Sequence, residues 1–71
     1  MNEIRKISVG VDYKNSMHYV VGQQVLSDYN IHAIMSTENG YVIWIEKGDE
    51  ILCWKEININ VPVIIEYNIN F

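Results

Sequence analysis

Residues 41–57 read YVIWIEKGDEILCWKEI, two apolar runs around a polar Glu46-Lys47-Gly48-Asp49 break. Runs of Val, Ile, Tyr and Trp bounded by turn residues are strand signals, and a glycine in so short a break fits a hairpin. With Gly48 in the left-handed position of a three-residue turn carrying a bulge, Tyr41, Ile43, Ile45, Ile51 and Cys53 share one face. Val42, Trp44, Leu52 and Trp54 share the other. Both faces of the hairpin are then apolar. A simple two-layer sheet has one wetted face. One side of this hairpin therefore packs into a core, and the other meets a curled-over strand, a small helix or another subunit.

Outward from the hairpin the period stays near two. Upstream, Thr37-Glu38-Asn39-Gly40 is a hairpin turn, because Asn-Gly is the strongest short hairpin signal, and residues 31–36 (IHAIMS) form the strand before it. A first strand is expected near residues 3–11, where Ile7, Val9 and Val11 alternate with Ser8 and Gly10. Residues 12–16 (DYKNS) and 26–30 (LSDYN) are polar breaks. Between them, residues 17–26 (MHYVVGQQVL) carry helical spacing at Met17, Val20, Val21 and Val25, with Ser16 as a potential cap. Gly22 opposes a helix there, and His18-Tyr19-Val20-Val21 favours extended chain. A short strand or irregular extended segment is expected, with one helical turn around residues 16–26 as the alternative.

Downstream, residues 56–71 (EININVPVIIEYNINF) have an apolar residue at every odd position from Ile57 to Phe71. Pro62 offers no backbone donor and belongs at a strand end, an edge or a bulge. Two strands bent at Val61-Pro62-Val63 suit the usual strand length better than one long strand. Five to six short antiparallel strands follow. They form a mostly all-β single domain over residues 1–71, a curved sheet or a partly open small barrel of the SH3-like or OB-like size class.

Composition narrows the function classes. A chain of 71 residues buries only about 60% of the surface its unfolded form exposes, so small domains lean on disulfides, metals or association. Cys53 is the one cysteine, which excludes an internal disulfide. His18, His32 and Cys53 lack metal-ligand spacing, so neither metal nor cofactor is expected. Association is the support that remains, which favours a homo-oligomer. Nine acidic against five basic residues give a net charge of −4, without the basic patch that nucleic-acid binding requires. Residues 1–10 have no apolar run behind their basic pair, and no stretch is long and apolar enough for a membrane span. A cytoplasmic setting is expected.

Catalytic constellations are weak. Cys53, on an apolar strand, reads as a buried inert thiol, and His32, between Ile31 and Ala33, as solvent-facing. Asp12, Asp28, Asp49 and Glu50 sit in turns for backbone reasons. No enzyme is expected. The eight aromatic residues exceed what so small a core encloses comfortably. Trp44, Trp54, Tyr67 and Phe71 are the candidate interface anchors, because Trp and Tyr concentrate at protein interfaces without needing positive charge. The alternative is a single-stranded nucleic-acid-binding barrel that stacks bases on exposed aromatics.

Across Gly10-Val11-Asp12-Tyr13-Lys14-Asn15, Met17-His18-Tyr19-Val20-Val21-Gly22-Gln23, Trp54-Lys55-Glu56 and the EYNINF end, the chain resembles small uncharacterised proteins of tailed bacteriophages that infect marine cyanobacteria. The resemblance implies a phage accessory product in a bacterial cytoplasm. The two-faced apolar hairpin, the aromatic excess and the short core are what point to protein association, first with itself and then with a host or viral partner. The resemblance brings no catalytic residue with it. The abundance of isoleucine and asparagine, 12 and 8 residues, matches the AT-rich codons of such a genome.

Overall fold

The computed structural model describes residues 3–10 and 13–68. They form seven strands: β1 (Glu3–Val9), β2 (Met17–Val20), β3 (Gln24–Val25), β4 (Tyr29–Thr37), β5 (Gly40–Lys47), β6 (Glu50–Asn58) and β7 (Val63–Asn68). The one helical element among the described residues is a 3-10 turn at Tyr13–Asn15. The all-β expectation holds, with one or two strands more than the sequence suggested.

All pairings are antiparallel. β2-β1-β7 make one sheet and β3-β4-β5-β6 a second, four-stranded sheet that curls as a half-barrel. The two are joined where the chain turns a corner after β2. Val21 still donates its N–H to the Arg5 carbonyl of β1 at 2.9 Å, whereas Gly22 donates to Ile31 of β4 at 2.8 Å and Ile31 donates back to Gln23 at 2.9 Å. Residues 17–25 are thus one extended path that leaves the first sheet and enters the second. The helical alternative for residues 16–26 does not form. A helix would lift Tyr19, which is buried, out of the core and would leave β1 and β4 without their partner along this path.

The core is built from isoleucine: Ile7, Ile31, Ile34, Ile43, Ile45 and Ile57 are buried together with Tyr19. Each contributes on the order of 2 kcal/mol of burial, and so few give a thin margin. Three bulges, at Arg5, His32 and Trp54, bend the strands around this cluster. The tail bends at Pro62 as expected, with β6 ending at Asn58 and β7 starting at Val63. Its apolar series is not one continuous buried face, because Ile59 and Val61 lie exposed in the turn.

The β5–β6 hairpin is one residue tighter than expected. Lys47 pairs with Glu50, leaving Gly48 and Asp49 as a two-residue turn. Gly48 has φ +59°, the conformation that primed hairpin turns require at their first central residue. The change of one residue inverts the expected faces of β6. Leu52, not Ile51, lies opposite buried Ile45, and Cys53 lies opposite Trp44.

Candidate interaction surface

Burial of Ile43 and Ile45 on one side of β5 forces Val42, Trp44 and Glu46 to the other. The ladder gives their neighbours: Met35 and Glu56 flank Val42, Ala33 and Cys53 flank Trp44, and Asn30 and Ile51 flank Glu46. The outer face of the four-stranded sheet is therefore a band of Ala33, Met35, Val42, Trp44, Ile51 and Cys53. Met35 and Ile51 are half-exposed. Trp44 stands at its centre, half-buried by its neighbours.

Polar groups close both ends of the band. At one end His32 Nδ1 lies 2.7 Å from Glu46 Oε2; at the other stands Glu56. No strand of the described residues packs over the band, since each strand of this sheet meets its ladder neighbours and the three-stranded sheet touches it along β1 and β4. An apolar centre with a polar rim is the anatomy of an interface.

The four expected anchors part company. Trp44 lies on the band. Trp54 does not: the bulge places it beside Lys55, both opposite Ile43, and turns its ring toward the core. There it meets Tyr19 edge to face, centroids 5.7 Å apart, with Lys55 Nζ 4.8 Å above the ring. Its role is packing. Tyr67 is half-exposed at the end of β7, on a groove beside β4. Phe71 lies outside the described residues. Ala33, Met35 and Ile51, which complete the band, were not singled out from the sequence. Alternate Ala and Met in IHAIMS was the available signal.

Cys53 is exposed rather than buried, a direct result of the tighter turn. His32 faces solvent as expected, and His18 Nδ1 shares a 2.7 Å hydrogen bond with Ser8 Oγ. The described residues hold no group of three His, Cys, Asp or Glu side chains able to ligate a metal. Of the acidic turn residues, Asp28 and Glu50 have structural partners, and Asp12 lies outside the described residues. Asp28 Oδ2 pairs with Lys47 Nζ at 3.5 Å, and the Tyr29 hydroxyl donates to Glu50 Oε1 at 3.2 Å. Among the described residues no helix is long and apolar enough to cross a membrane. Comparison with known proteins matches no family model, no curated protein and no solved structure.

Two expected results test this geometry. Trp54→Ala costs stability toward the lower end of the roughly 3–5 kcal/mol typical of a large aromatic truncated in a packed site, read as a lowered urea midpoint. Trp54→Phe recovers most of it; equal, small losses in both would contradict the core placement. The Tyr29 phenol titrates above its ordinary value because of lost hydration first and then the Glu50 carboxylate beside it. Its folded pKa exceeds the unfolded one, so the linked stability is intact below about pH 10 and fades as pH rises through the folded value. Ultraviolet titration of Glu50→Gln shows the phenolate appearing at lower pH than in the unmodified chain.

Proposed function

We propose that this chain is a non-enzymatic β module that acts by protein–protein association, first with a second copy of itself through the outer face of β4, β5 and β6. The observation that carries the proposal is the uncovered apolar band centred on Trp44. Such a band on a small, thinly cored domain is stabilised when a second copy removes it from water. The resemblance to phage accessory products adds a setting, the cytoplasm of a bacterial host, where the same face can serve a host or viral protein.

The dimensions set the expected strength. The three strands β4, β5 and β6, spaced about 4.8 Å apart and about 28 Å long, project roughly 400 Å² per copy, below the standard size of specific interfaces. Micromolar association follows, not a permanent dimer. Light scattering behind size exclusion, over roughly 5–200 µM, is expected to show the mass climbing from 8.3 kDa toward twice that value. A mass fixed at the monomer throughout would overturn the proposal.

Nucleic-acid stacking fares worse on this face. Trp44 is bracketed by Glu46 and Glu56, no lysine or arginine belongs to the band, and Lys55 is over Trp54 on the core side. Phosphates need cations there. Single-stranded oligonucleotides are expected to leave tryptophan fluorescence unquenched even at low salt.

A further inference from the structure

β4 is paired along its whole length on the side of β5, but only at its start on the other. Gln24 and Val25 of β3 reach Asn30 and Tyr29, and the backbone bonds to Gln23 and Gly22 end at Ile31. From His32 to Thr37 no strand of the described residues is hydrogen-bonded to β4 on that side. In its place is a groove of about 650 Å³. One wall is residues 32–36, five in succession; the other is Glu3 and Ile4 of β1 with Tyr67 and Asn68 of β7, and Val21 closes one end. Successive residues of a strand point to opposite faces, so a wall made of five in a row is a strand seen edge-on. The groove therefore offers backbone donors and acceptors that no described residue pairs, between apolar flanks.

Beyond its bulge at His32, this edge lacks the devices that blunt its counterparts. β2 and β3 are short, β6 carries the Trp54 bulge and Lys55, and β7 follows Pro62 and contains Glu66. Along residues 33–37 of β4 there is no lysine, proline or bulge. The charge around the groove has one sign. Glu3 stands on its rim, while the nearby Arg5 and Lys6 are both drawn to Glu66, at 3.3 and 3.6 Å. His32, the one basic group in the wall, is held by Glu46.

We infer that the free edge of β4 accepts an extended peptide strand from a partner protein: alternating apolar residues along Ile34 and Ile4, and a lysine or arginine at the end that meets Glu3. Strand addition of this kind draws affinity from main-chain hydrogen bonds and specificity from the flanking side chains. The site shares Ala33 and Met35 with the border of the Trp44 band but runs along the edge of β4 rather than its outer face, and it does not depend on self-association.

The probe is a short capped peptide alternating valine and threonine with one terminal lysine, followed by amide NMR on the full chain and on its Trp44→Glu variant, so that dimer formation cannot supply the signal. Shifts and slowed hydrogen exchange are expected at the amides of residues 33–37 in both. A version with proline at alternate positions, unable to donate to the ladder, is expected to leave those amides unchanged. Glutamate in place of the lysine weakens binding about fivefold, and Glu3→Lys reverses that preference. No shift at roughly 1 mM peptide, or equal shifts from the proline version, would overturn the inference. So would protection of the same amides by rising protein concentration alone, which would give the edge to a second copy.

Discussion

Gly40→Ala is expected to lower the thermal midpoint of the domain by about 10–30 °C, the largest effect of any single methyl group in this chain. Gly40 opens β5 with φ +142°, where side chains are rarely accommodated. A Cβ built there overlaps the carbonyl oxygen of Ile57 and stands 2.8 Å from the Ile59 nitrogen. Both are backbone atoms, so no rotamer change relieves the clash. Relief requires opening the end of the β5–β6 ladder, where Gly40 pairs with Asn58 and Tyr41 with Ile57, and where Ile59 donates to the Asn39 carbonyl at 2.7 Å. Strained dihedrals cost about 1–3 kcal/mol and a lost backbone bond about 1 kcal/mol. Together these approach half of the roughly 4–10 kcal/mol that holds a domain of this size. Ile57 is drawn outward in the process and belongs to the buried cluster. Circular dichroism melting measures the loss; a midpoint within a few degrees of the parent would show that the two strands do not approach as closely as described.

The same position shows what the sequence could and could not disclose. Thr37-Glu38-Asn39-Gly40 was legible as a turn, and the structure turns there, with Glu38 and Asn39 central. Nothing in the local residues signals that Gly40 is needed for the approach of residues 57–59, seventeen to nineteen positions downstream, because that demand is tertiary. Strand identity was legible wherever apolar residues alternate, and Pro62 marked the bend. Register was not. Gly48 satisfies either a two-residue or a three-residue turn, and EILCWKE is apolar on both faces, so its pattern does not penalise a slip of one. The bulges at His32 and Trp54 escape notice for the same reason: each adds one residue without disturbing local composition. The consequences were large for the site. One residue in a turn exposed Cys53, and one bulge separated Trp54 from Trp44. The free edge of β4 was beyond reach altogether, since it depends on where β3 ends, and that is set by the corner after Val21.

Trp44→Glu is expected to hold the chain as a monomer at every concentration where the parent associates, with strand content and melting of the monomer little changed. The side chain sits on the outer face between Ala33 and Cys53, away from the isoleucine cluster, so its removal leaves no cavity in the core. At the centre of an interface it has the opposite weight. Central tryptophans typically cost 2 kcal/mol or more when truncated, at least about a thirtyfold loss of affinity. A carboxylate there adds the cost of burying charge, and Glu46 and Glu56 at the ends of the band repel it further. An interface of this modest projected area has nothing in reserve. Leu26→Glu supplies the comparison: Leu26 is more exposed than Met35 and Ile51 of the band yet lies in the turn before β4, so this change leaves association intact. If both substitutions disrupted assembly equally, association would be general hydrophobic clumping. If Trp44→Glu left the dimer in place, the copies would meet elsewhere, and the outer face of β4, β5 and β6 would lose its role.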